Sequence, residues 1–143
     1  MPGTTREAVI DALENGWGSY VGRYRSLSKG AQDEFVRKQG YARLSDLLAH
    51  VVAWWEMAIP RIPEILADPD CPEREVDVDR FNAAAVEHFQ ACDEETMICT
   101  FEATRKAMID LVMSLPENAF QIKRINDRLY IETRGHLSEH AFQ

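Results

Sequence analysis

Basic charge is scarce in this chain. It carries 16 Lys+Arg against 24 Asp+Glu, giving a net charge of -8 and a pI near 5.0. Nucleic-acid binding draws on clustered Lys and Arg, so no nucleic-acid partner is expected. An anionic membrane surface is disfavoured for the same reason. Long apolar runs are missing too. The longest, residues 47–59, is interrupted by His50 and Glu56 and is too short to span a bilayer. The N-terminal MPGTTREAVIDALENG has acidic residues where a signal peptide would place its apolar core, so a cytoplasmic protein is expected. Cysteine is sparse: Cys71, Cys92 and Cys99 are odd in number and lack CxxC spacing. That excludes a disulfide framework and a zinc ribbon, and leaves free, partly buried thiols. Repeats, low-complexity tracts and linkers are absent as well, so residues 1–143 are expected to form a single domain.

What the chain does have is helical periodicity. Thr4 and Glu7 have the spacing of a capping box. After them Val9, Ile10, Leu13, Trp17, Tyr20, Val21, Tyr24 and Leu27 recur at intervals of three and four. This spacing predicts one helix of about six turns, ended by Gly30 and the polar run AQDEF. A second helix is predicted to start near Ser45 as N-cap. Its residues Leu47, Leu48, Val51, Trp54, Trp55, Ala58 and Ile59 are apolar nearly all round, which predicts the most buried helix. Pro60 and Pro63 are expected to stop or kink it, and ILADPDCPERE reads as a loop. A short helix is predicted from Asp79. A longer one is predicted from Asp93, with that residue as cap and Glu94 and Glu95 in its first turn, ending at Leu115-Pro116. The final segment, from about Asn126 through Phe142, shows only a hint of strand at Tyr130-Ile131. Four main helices and a short one point to an all-α bundle.

Two of the four histidines stand in GHLSEH, at 136 and 140. Residues four apart share one helix face, so His136 and His140 can approach one ion, and neutral imidazole is a common ligand for Zn, Ni, Fe or Cu. Alone, such a pair is a short match that chance also produces. His50 adds weight because it interrupts DLLAHVVAWW, in the middle of the most apolar helix. A buried imidazole needs a hydrogen bond or an ion. Either His50 is a core residue bonded to a polar neighbour, or it joins the pair in a three-nitrogen site, the ligand number that catalytic zinc sites use. His88 has no partner at i±3 or i±4 and is expected to face solvent.

HLSEH also fits the inverted zinc-protease signature H-x-x-E-H. That family takes its next ligand far downstream, and this chain ends three residues later, so the reading is rejected. Three carboxylates are candidate acceptors for imidazole N–H groups: Glu132 and Glu139 beside the pair, and Asp46 one turn before His50. Each of them reads equally as a solvated face or a helix-start charge. Trp54 and Tyr130 are candidate walls of a pocket, although aromatics at this spacing are mostly core.

SDLLAHVVAWWE in a second helix, followed by HxxxH in the last, resembles the DinB-like (YfiT-like) four-helix bundles. DRFN followed by ATRKAMIDLVMSLPE resembles the same superfamily, especially its ClbS/DfsB-like and maleylpyruvate-isomerase-like branches. The resemblance spans roughly residues 5 to 142. It implies an up-down-down-up bundle with a short extra helix, forming a homodimer. It also implies a divalent ion, nickel or zinc, held by His50, His136 and His140. Members with known activity use low-molecular-weight thiols such as bacillithiol or mycothiol as cosubstrate. The ClbS/DfsB branch protects against a genotoxin by opening its cyclopropane. With the chain ending just after His140, no C-terminal extension is expected over the site. The resemblance therefore implies a metal-dependent transferase, isomerase or hydrolase acting on a small molecule. Its rivals are a protective protein that binds or hydrolyses a toxin and a non-catalytic bundle with a structural ion.

Overall fold

The computed structural model describes residues 3–142. Among these the chain is helical, with no strand. Eight α-helices follow one another: α1 Arg6–Asp11, α2 Tyr20–Arg25, α3 Lys29–Lys38, α4 Leu44–Ala67, α5 Val78–His88, α6 Glu94–Ser114, α7 Lys123–Tyr130 and α8 His136–Glu139. A π turn, Ala12–Gly16, extends α1, and a second, Ile131–Gly135, joins α7 to α8. A 3₁₀ segment, Glu117–Gln121, precedes α7.

The organising element is α4. It packs against α5, α6 and α7, and its residues from Leu44 through Val52 are all buried. Three rings tie it to its neighbours. Trp55 stacks on Phe101 of α6 with centroids 5.5 Å apart, and meets Trp17 edge-on at 5.5 Å. Each such ring removes a large apolar area from water, and truncating one to alanine typically costs about 3–5 kcal/mol. No helix is long and apolar enough to cross a membrane among the described residues.

Polar clamps set the ends. Asp93 caps α6 by accepting from the Thr96 amide at 2.7 Å, as the spacing predicted. At the other end of α6, Arg6 donates to the carbonyls of Val112 and Leu115 at 2.5 and 2.7 Å, satisfying groups that a helix terminus leaves unpaired. Asn126 of α7 holds the entering chain, accepting from the Thr4 amide and donating to its carbonyl.

Several sequence expectations are corrected. Asn126 occupies the backbone of Thr4, so Thr5 is the N-cap, accepting from the Ala8 amide at 3.2 Å. The predicted six-turn helix breaks at residues 17–19, between the π turn and α2. AQDEF does not end a helix but lies within α3. Ser28 starts α3, accepting from Ala31 at 3.2 Å. The ion pairs Lys29–Asp33 and Glu34–Lys38 then run along its exposed side. Helix α4 begins at Leu44, so Ser45 is inside its first turn rather than its cap. Pro60 and Pro63 do not stop α4, which runs on to Ala67. Both prolines are exposed, so the carbonyls they leave without an N–H partner lie on the face nearest water. Asp77 rather than Asp79 caps α5. Tyr130-Ile131 is helical, at the junction of α7 with the second π turn.

Candidate metal centre

His50 lies in the buried half of α4, while His136 and His140 sit at the two ends of α8. Their exposures are only 2%, 8% and 8%. The second π turn helps to fix α8 against the core. In that turn the Trp55 indole N–H donates to the Glu132 carbonyl at 2.8 Å, and Trp17 donates to the Thr133 carbonyl at 3.0 Å. A wide turn displaces backbone acceptors from their regular partners, and such turns recur at functional sites. Tyr20 closes the end of α8 by donating to the His140 carbonyl at 2.7 Å.

The three rings converge. Centroids lie 5.3 Å apart for His50–His136, 4.8 Å for His50–His140 and 5.8 Å for His136–His140. One nitrogen from each ring lies within 4.8 Å of the others, so the three could hold a metal ion. Metal–imidazole bonds of about 2.0–2.1 Å ask for somewhat closer nitrogens, so binding would draw the three rings inward.

Hydrogen bonds select the ring atoms on offer. Nδ1 of His50 donates to the Leu47 carbonyl at 2.5 Å, and Nδ1 of His140 donates to Oε1 of Gln39 at 2.7 Å. Both rings therefore keep the Nε2 lone pair for an ion. Among the described residues, Nδ1 of His136 and Oε2 of Glu132 are buried without partners, on residues one turn apart. Interiors rarely leave such atoms unsatisfied. Two together beside three imidazoles fit a site built to bind something polar.

The electrostatics also suit ligation, which needs neutral rings. Burial, assisted by the neighbouring imidazoles, pushes the His50 pKa down to about 3. Burial lowers His136 to about 4, helped by His140, and lowers His140 itself to about 4. The Glu132 carboxyl moves the other way. Burial raises it to about 8 against the pull of the Arg128 charge, with Glu139 adding to the rise. Tyr41 stacks on His50 at 5.0 Å. Burial, then Asp46 and Glu139, raises its phenol to about 12, so it remains a donor at neutral pH.

The histidines line a cleft of about 610 Å³, within the ordinary size range of small-molecule sites. Trp54 and Tyr130 both line it, as does the rim carboxylate Glu139, which is exposed. Trp54 is fixed by donating to Asn82 at 2.7 Å and by packing on Phe81 at 4.3 Å.

No protein-family model, curated protein or solved structure matches this chain.

Of the three candidate carboxylates, only Glu132 is both buried and in the cleft. Asp46 is spent on Arg43, at 2.7 Å, and the Leu47 carbonyl serves His50 instead. His88 is exposed, with its ring against Phe89. The three thiols are free, Cys71 and Cys92 half-buried and Cys99 exposed. Sequence reasoning missed Gln39, Tyr41 and Arg128. The first two flank Gly40, whose φ of 90° marks a tight turn that glycine tolerates. That glycine after a helix was a readable turn signal, but its delivery of two residues to the histidines was not.

Proposed function

We propose that this chain is a DinB-like bundle whose His50, His136 and His140 hold a single divalent ion, nickel or zinc, and that it is a metal-dependent enzyme acting on a small molecule. The observation that carries the reading is the convergence of three buried, neutral imidazoles from two helices at the wall of one open cleft. The all-helical architecture around α4 supports this reading, in which the fold is an up-down-down-up four-helix bundle with a short extra helix.

A divalent ion bound there supplies Lewis acidity, which polarises an oxygen or sulfur donor and eases its deprotonation near neutral pH. The remaining work falls to the protein's own groups. Leu47 and Gln39 orient two of the rings. Trp54 and Tyr130 form walls of the cleft. Oε2 of Glu132, buried and unpartnered, is the atom best situated to hold or accept a proton. A group poised near neutrality suits that task. The reaction class is transfer, isomerisation or hydrolysis, with a low-molecular-weight thiol as the proposed cosubstrate for transfer.

The test is metal analysis of protein purified without a histidine tag. About one equivalent of nickel or zinc is expected, lost in His50→Ala. Saturating metal should stabilise the parent by about 2.7 kcal/mol at one hundred times Kd, and a chelator should reverse this. Equal metal binding by His50→Ala and the parent would overturn the centre. A stabilising ion combined with no turnover across thiol and electrophile panels would favour a structural role.

A further inference from the structure

A second, smaller cleft of about 180 Å³ adjoins the histidine cleft. Arg128 and Ile131 line both, so the two share a wall. Four arginines, Arg61, Arg74, Arg124 and Arg128, border the smaller one together with two carboxylates, Glu73 and Asp127. In a chain with 16 basic and 24 acidic residues, that gathering runs against the overall sign.

Three of the four have structural employment. Arg61 and Arg74 both pair with Glu64, at 2.9 and 3.1 Å. Arg124 pairs with Glu73 at 2.9 Å and donates to the carbonyls of Pro69 and Cys71 at 2.8 and 2.7 Å. These bonds staple residues 69–74 against α4 and α7. Arg128 has no such duty. Among the described residues its guanidinium makes neither a hydrogen bond nor an ion pair. Its neighbour Asp127 is engaged by Lys123. Glu132, one turn on, is buried without an ion pair. One turn before Arg128, Nη2 of Arg124 is buried with no acceptor among the described residues. A guanidinium is always charged and presents a fork of N–H donors that matches a carboxylate or phosphate edge. Unused donors on the wall between two clefts are therefore capacity for an oxyanion.

We infer that Arg128 anchors an anionic group, a carboxylate or a phosphate, on the small molecule that the histidine cleft takes. The ligand lies across the shared wall, with its anionic end in the arginine-lined cleft and its reacting end toward the histidines. The second half of this statement rests on the proposed metal centre, whereas the anion site stands on its own.

The experiment titrates metal-free, full-length protein with inorganic phosphate and, separately, with succinate, following backbone amide and arginine Nε–H resonances. Saturable binding of at least one probe is expected, with shifts at Arg128 and Ile131. Phosphate alone identifies a phosphorylated substrate class, and succinate alone a carboxylic acid. Arg128→Gln should weaken binding at least about tenfold, with Arg128→Lys intermediate. Both variants should keep the parent's melting temperature and zinc stoichiometry. Two results overturn the inference: no saturable binding of either probe, or parental affinity in a folded Arg128→Gln. His50→Ala separates the two claims, because it should lose zinc while keeping anion affinity. If it keeps zinc while Arg128→Gln loses the anion, the metal centre fails and the anion site survives.

Discussion

The side-chain oxygen of Gln39 and the ring Nδ1 of His140 meet at 2.7 Å across 101 positions of sequence. Gln39 ends α3, and this bond holds His140 in the form that leaves Nε2 free. Removing a residue that orients a ligand typically lowers metal affinity by about 10–100-fold. Gln39→Leu should do so, measured by competition with a chromophoric chelator, and should cost about 1–3 kcal/mol of stability for the imidazole N–H left without an acceptor. Unchanged affinity would remove Gln39 from the site.

Gly40 separates Gln39 from Tyr41, and its φ of 90° lies in a region that side chains rarely adopt. An added Cβ meets no atom within 4 Å, so the cost of Gly40→Ala is conformational, about 1–2 kcal/mol. Because relaxation of that turn moves both neighbours, the variant should also bind zinc more weakly than the parent. Equal affinity in the two proteins would show that the turn and the site are uncoupled.

Trp55 donates its indole N–H to the carbonyl of Glu132, inside the π turn that precedes His136. Trp55→Phe keeps a ring in the core but deprives that carbonyl of its partner, at about 1–3 kcal/mol. Urea denaturation should register the loss, and zinc affinity should fall with it. Glu56→Gln, one residue away and exposed, is the control and should change neither.

Acid should destabilise the metal-free protein. The unfolded chain protonates its histidines near 6.5, while burial holds the folded triad down at about 3 to 4. Below 6.5 the unfolded state therefore binds more protons, and stability falls as pH drops. Glu132 works oppositely. Its folded value near 8 exceeds the unfolded 4.5, so its contribution is lost as pH rises through that window. Each unmatched proton is worth about 1.4 kcal/mol per pH unit. Three histidines outweigh one carboxyl on the acid side, which sets the maximum near pH 6.5. Urea denaturation in EDTA should trace this dome, and Glu132→Gln should flatten its alkaline limb while steepening the acid limb above pH 4.5, where the carboxyl opposes the histidines. An acid limb no steeper than one proton would mean that the triad is not held neutral.

The parts of the molecule legible in the sequence were those governed by local rules. Asp93 capping α6 and Leu115-Pro116 ending it follow from side chains and backbones within a few residues of one another. The burial of α4 was readable from its nearly unbroken apolar composition. His50 stood out because an imidazole in such a helix needs a partner. The errors arose where distant groups intervened. Asn126 took the backbone of Thr4 and shifted the first cap to Thr5. Exposure of Pro60 and Pro63 let α4 run past them, because their unpaired carbonyls lie on the face nearest water.

Sequence alone determined that His136 and His140 share a face, since four residues make about one turn whatever surrounds them. It also determined that the chain is helical and acidic. Only the tertiary structure decided that His50 meets that pair, that Gln39 and Tyr41 arrive from a glycine turn to hold two of the rings, and that Arg128 stands on the wall shared by two clefts. Periodicity specifies which residues lie on one side of one helix. Which sides then face each other depends on packing between segments that are far apart in the chain, and no local pattern encodes that.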